Sequence, residues 1–167
     1  SPFLLGLIGV FQYAPVLLIT LIAGVIVERH PKRNILLLTQ FSYMIQAFAL
    51  SFIVYTGENK YWMLAVLASI NGIITSLDMP TRQSFFIELV GKKDLPNAIS
   101  LNSTVFNMSR IVGPAFAGVI MNKIGVLQCF LINAFSFIPV IYGVFKIQAK
   151  GNPTIKSKTS GLFKDLK

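Results

Sequence analysis

The chain has 167 residues, 54% of them hydrophobic and 13% charged, with a mean hydropathy of +0.68. A soluble domain carries about a quarter charged residues, so a water-exposed surface is hard to build from this composition. The rival reading of a large soluble helical core leaves too little polar surface to cover it. The formal net charge is +9, but the basic residues sit between and after long apolar runs, the distribution that orients a membrane protein and not one that grips nucleic acid.

Runs with at most one charged side chain cover 1–27, 34–57, 61–77, 95–122 and 124–145. Each reaches the roughly 17 to 25 residues that cross a bilayer as a helix. The predicted spans are 3–27, 35–56, 61–79, 98–121 and 125–146, forming an all-α membrane bundle over residues 1–147. The polar/apolar alternation of a membrane barrel is absent.

The first span lacks a basic leader and is longer than the apolar core of a signal peptide. It ends in "GVIVERHPKR", residues 24–33, where Glu28, Arg29, Lys32 and Arg33 crowd into six positions. A positive anchor needs only Arg and Lys. Glu28 stands at a helix C-terminus, where the macrodipole disfavours an acid, so it needs a partner such as Arg29, Arg33 or the N-terminus of another helix. Gly24, one turn earlier, is expected to let this end approach a neighbouring helix closely. His30 reads as a loop residue.

On the third span Asn71, Thr75, Asp78 and Arg82 follow i, i+4, i+7, i+11 and share one face. This polar stripe must face protein or water. Pro80 falls near a helix start with Asp78 placed to cap it. Residues 81–90 read as a short surface helix or a bent continuation of the third span, with Gly91 as the stop.

The fourth span carries Arg110, about 12 Å inside its inner end at 1.5 Å per residue. A guanidinium at that depth is costly and must face the bundle interior or a wet cavity, paired. Asp78 is the available acid, so an Asp78–Arg110 pair is expected. Ser109, Gly113 and Ala117 form a ridge of small residues at i, i+4, i+8, and Pro114 frees the carbonyl of Arg110, which suits close packing or a hinge.

After the fifth span the composition changes. Residues 148–167 are polar and Lys-rich, with Gly151, Pro153 and Gly161 as breakers, and read as a cytoplasmic linker. "SGLFKDLK" begins an amphipathic pattern suited to headgroups. With the 28–34 turn inside the cell, twelve Lys and Arg residues fall on the cytoplasmic side. Lys60 and Lys123 fall outside, and Arg110 lies within the membrane. The Ser1 end is then outside and the Lys167 end inside. A chain beginning outside with nothing to export that end is expected to be a fragment, preceded by a further helix and followed by more protein.

Cys129 is the single cysteine and His30 the single histidine, so cysteine-pair metal sites and intrachain disulfides are excluded. No HExxH and no paired intramembrane carboxylates occur, so no catalytic set, metal site or cofactor is expected. No acid falls near the midplane, which places any proton-coupling carboxylate elsewhere.

"GVIVERHPKR" resembles the loop between the second and third helices of the major facilitator superfamily: Gly, three residues, Asp, Arg, any residue, Gly, then two basic residues. Gly24, Arg29, Lys32 and Arg33 match, Glu28 stands for the Asp and Pro31 for the Gly. "RIVGPAFAGVI" resembles the Gly-Pro signature in the fifth helix of that superfamily's exporters, with Gly113, Pro114 and Gly118 matching. The stretch from Asp78 to Gly118, with Pro80 and Arg82 in its loop portion, resembles the branch of enterobactin-type siderophore exporters and macrolide efflux proteins.

The resemblance implies that the five spans are the second to sixth helices of a six-helix N-terminal half-bundle. It implies that the second, fourth and fifth helices line a substrate cavity, making Gln12, Asn71, Thr75 and Asn107 cavity candidates. The third and sixth would face lipid, so Gln40, Gln46 and Asn133 are read as interhelical hydrogen bonds. It further implies export of a small organic molecule across the inner membrane by alternating access, as an antiporter. The partners would be the lipid bilayer and a C-terminal half, with residues 28–33 as an inner gate. Arg110 is then either a structural lock or a cavity cation that attracts an anionic substrate. The rival readings are a polytopic membrane enzyme and a non-transporting membrane partner subunit.

Overall fold

The computed structural model describes residues 2–57 and 60–147. The expected linker and its amphipathic end lie outside the described residues. Helix α1 is Pro2–Arg29 and α2 is Lys32–Thr56. Helical hydrogen bonding then continues over Tyr61–Ile124, but Gly91, at φ 74° and ψ 169°, breaks it into α3 (Tyr61–Gly91) and α4 (Lys93–Ile124). Helix α5 is Val126–Lys146. Helices α2 to α5 are each long and apolar enough to cross a membrane, and α1 joins them as a span bent by 58° between Gly6–Thr20 and Ile22–Arg29. This is an all-α, multi-pass membrane protein.

Pro15, inside α1, removes a backbone donor, and the Thr20 hydroxyl donates back to the Val16 carbonyl; both features loosen the helix ahead of its bend. The turn between α1 and α2 is only His30 and Pro31. Pro31 sits at φ −59°, which its ring fixes, and its carbonyl accepts the amides of Asn34 at 3.0 Å and Ile35 at 3.3 Å. This turn therefore needs no glycine. Gly57 closes α2 in the left-handed region at φ 71°, donating to Val54 O at 3.3 Å. Gly125, at φ 103°, is the whole connection between α4 and α5 and donates to Met121 O at 3.1 Å.

The third and fourth helices extend beyond the expected 61–79 and 98–121. Proline at 80 does not start a new helix: α3 runs through it, so 81–90 is the continuation of the third span. Asp78 accordingly is no N-cap. Its carboxylate is directed sideways to α2.

Helix α1 packs mainly on the Tyr61–Ile124 segment, and α2 packs on α5 and on that same segment. The interior is polar as well as apolar. Ala23, Val27, Leu36, Ala47, Phe85 and Ala134 are buried, and so are Lys32, Thr39, Gln40, Gln46, Ser51, Ser76, Asp78 and Thr81. Lipid solvates apolar side chains as well as a core does, so the groups most in need of protein partners are the polar ones.

Candidate functional site

Two polar clusters run along α3. In the first, Asn71 is the node. Its Oδ1 accepts from Gln12 Nε2 of α1 at 3.3 Å and from Thr75 Oγ1 at 3.4 Å, while its Nδ2 donates to Gln46 Oε1 of α2 at 3.2 Å. Gln46 Nε2 in turn donates to Leu67 O at 2.6 Å. Thr75 also shares a hydrogen bond with Tyr43 OH at 3.0 Å, and the Tyr43 ring stacks on Phe137 of α5 at 6.0 Å. Four helices thus meet through one chain of side chains. The α1–α3 crossing is close: a Cβ at Gly72 would collide with the backbone oxygen of Gln12.

The second cluster centres on Asp78, whose Oδ1 accepts from Thr39 Oγ1 at 2.7 Å and Gln40 Nε2 at 2.9 Å. Arg82 reaches its Oδ2 at 3.1 Å, with the guanidinium more than half exposed. The carboxylate is satisfied on both oxygens, Thr39 and Gln40 donating from α2 and Arg82 from one turn on along α3.

The charged turn divides into two parts. Lys32 and Arg33 staple neighbouring helix ends together: Lys32 pairs with Glu88 of α3, and Arg33 donates to the carbonyls of Val144, at 3.3 Å, and of Phe145. Arg33 thereby caps the C-terminus of α5, where a cation is favoured. Glu28 and Arg29 are exposed instead, with Glu28 within electrostatic reach of Lys32. His30, also exposed, turns its Nδ1 to Ile26 O at 3.0 Å.

The expected Asp78–Arg110 pair does not form. Asp78 is taken by Thr39, Gln40 and Arg82, and Arg110 on α4 lies over the Phe106 ring, 6.0 Å from its centroid. The two residues stand on consecutive helices, but the positions along each do not set how the helices turn toward one another. Gly24 does not serve a close approach either, since a Cβ there would meet nothing within 4 Å; Gly72 does, and only its place opposite Gln12 reveals it.

The structure brings Gln12, Asn71 and Thr75 together and leaves Asn107 apart, exposed on α4 with its amide on Ser103 O at 2.8 Å. Residues 101–116 of α4 are all exposed, including Ser109, Gly113 and Pro114. A Cβ at Gly113 or Gly118 would touch nothing within 4 Å among the described residues, while Ala117 of the small-residue ridge is half-buried. Gln40 and Gln46 make interhelical hydrogen bonds; Asn133 is exposed and its carbonyl accepts from Ser136 at 2.7 Å. Cys129 is half-buried on α5.

A family model described as transmembrane secretion effector, within the major facilitator superfamily, matches residues 1–163. The chain belongs to that family. It is 28% identical over 134 residues to the staphyloferrin A transporter of Staphylococcus aureus, covering 80% of this chain and 34% of that protein. It is 28% identical over 137 residues to the uncharacterized MFS-type transporter YfiS of Bacillus subtilis, covering 82% and 32%. It is 26% identical over 142 residues to the multidrug efflux pump Tap of Mycolicibacterium fortuitum, covering 82% and 35%. The chain therefore spans about a third of the length of these curated relatives. No solved structure matches it.

Proposed function

We propose that these five helices serve a secondary transporter that exports a small organic molecule, of the size of a siderophore or drug, by alternating access. The observation that carries this reading is Arg110. It is exposed in the middle of an apolar helix of membrane-spanning length, and a guanidinium at that depth cannot face hydrocarbon without a large penalty. The α4 face bearing Asn107, Arg110 and Gly113 therefore borders a wet cavity or further protein. Kinship with proteins named as a staphyloferrin A transporter and a multidrug efflux pump supports the same reading.

In this proposal a second helical half completes the substrate path opposite α4. Arg110 offers a cation to an anionic group of the substrate, and Gln12, Asn71 and Thr75 hold α1, α2 and α3 in register behind it. Lys32 and Arg33 bind the inner helix ends to one another, which leaves the exposed Glu28 and Arg29 to engage the second half when the cavity faces outward. The protein sits in the inner membrane with the 28–33 turn in the cytoplasm.

The test is efflux by the full-length protein in proteoliposomes under an imposed ion gradient, with siderophores and cationic dyes as trial substrates. Arg110→Gln is expected to abolish accumulation of anionic substrates while insertion and helix content stay intact. Wild-type efflux of an anionic siderophore by that variant would remove Arg110 from the cavity.

A further inference from the structure

The α2–α5 seam carries two apolar cavities that play no part in the substrate path proposed above. The first, about 340 Å³, is lined by Phe41, Met44, Ile138, Ile141, Tyr142 and Phe145. The second, about 540 Å³, lies toward the other end of both helices, around Phe52 and Leu131. Between them in register, the Phe48 and Phe135 rings meet edge to face at 5.5 Å.

The first cavity has cations at its rim. The Arg33 guanidinium lies 5.3 Å from the centroid of the Phe145 ring, and Lys146 Nζ lies 5.0 Å from that of Tyr142, both rings being part of the lining. Arg33 spends two donors on the carbonyls of Val144 and Phe145, out of the five a guanidinium carries. Among the described residues neither cation has a carboxylate within ion-pair distance. Ring stacking holds both heads beside the cavity mouth instead of letting them wander.

We infer that this part of the seam binds an anionic phospholipid, with an acyl chain in the cavity and the phosphate between Arg33 and Lys146. The dimensions agree. The lining of the groove on α5 runs from Phe145 to Ile138, about 10 Å at 1.5 Å per residue, which fits within one leaflet of the roughly 30 Å hydrocarbon thickness. Its mouth is at the helix ends, the depth of a headgroup, where basic residues between helices attract anionic lipid. A free anion would use the cations and ignore the apolar cavity; a zwitterionic lipid would fill the cavity but gain little from two uncompensated charges.

Native mass spectrometry of the full-length protein, from micelles containing equal amounts of phosphatidylglycerol and phosphatidylcholine, tests this. Phosphatidylglycerol is expected to be retained preferentially, and Lys146→Gln to reduce that preference about fivefold. Lys146→Arg, which keeps the charge, should preserve it, and Ile141→Trp, which fills the cavity, should remove both lipids. Circular dichroism confirms that each variant retains its helices. Equal retention of the two lipids by the unmodified protein, or an unchanged preference in Lys146→Gln, overturns the proposal. So does displacement of bound lipid by inorganic phosphate alone.

Discussion

Asp78 is the most heavily partnered carboxylate among the described residues, and its partners decide what its loss would do. Thr39 and Gln40 are buried donors aimed at Oδ1, while Arg82 is more than half exposed and gains little from an exposed ion pair. Asp78→Asn retains an acceptor and is expected to cost under about 1 kcal/mol, whereas Asp78→Ala orphans both donors and costs about 2 kcal/mol. Thermal unfolding in detergent reads the difference, and equal losses would mean the charge matters more than the hydrogen bonds. Two glycines form a second contrast. Gly72→Ala drives a methyl group into the Gln12 carbonyl and should cost about 1–3 kcal/mol. Gly24→Ala has open space and a helical backbone, so it is expected to be neutral or stabilising by up to about 1 kcal/mol. A midpoint lowered by Gly24→Ala and unmoved by Gly72→Ala would reverse the assignment of the close crossing. At this scale sequence reading found the polar residues and missed their pairings. Arg110 was recognisable as a group needing a special environment, but the azimuth at which α4 faces α3 depends on every contact between them and is written in no short stretch.

Among the elements, α4 behaves differently from the rest. Its apolar length and the stop at Gly91 were legible, because a stop glycine and an apolar run with few charges have local causes, whereas its ends at Lys93 and Ile124 lie beyond the expected 98–121. That residues 101–116 would all stay exposed was not legible, because it concerns what stands opposite. A Cβ at Gly113, on the small-residue ridge, meets nothing within 4 Å, so Gly113→Leu begins in open space among the described residues. We expect that variant to insert and to keep its helical circular dichroism, yet to lose efflux in the full-length protein. Undiminished efflux would show that nothing approaches α4 along this ridge. The third helix teaches the converse. Pro80 and Asp78 carry the local signs of a helix start, but the hydrogen bonds of Asp78 to Thr39 and Gln40 of α2 take its carboxylate away from the backbone, and the helix continues to Gly91.

For the molecule as a whole, the charge asymmetry makes a definite expectation about orientation. With Cys129 replaced by Ser, a cysteine introduced at Lys123 should react with a membrane-impermeant thiol reagent applied to intact cells. One introduced at His30, which is exposed at the α1–α2 turn, should react only after permeabilisation. External labelling of the His30 position would invert the topology and, with it, the placing of residues 28–33 as an inner gate. The bundle holds together around α3, which meets α1 at Gly72 and α2 through two clusters of hydrogen bonds, while α5 is tied to α2 by Arg33 and ring contacts.

From its residues alone, the chain already declared that it is helical, that it lives in lipid, and which family it resembles. These follow from one-dimensional causes: a helix in hydrocarbon must satisfy its own backbone and must be about twenty apolar residues long. Only the tertiary structure decided that Asp78 answers to Thr39 and Gln40 and not to Arg110, that Gly72 and not Gly24 is the point of closest approach, and that Lys32 and Arg33 staple while Glu28 and Arg29 stay exposed. In a bilayer nearly every face of an apolar helix is acceptable to its solvent, so hydrophobic pattern says little about which face meets which neighbour. A few hydrogen bonds and one missing side chain make that choice.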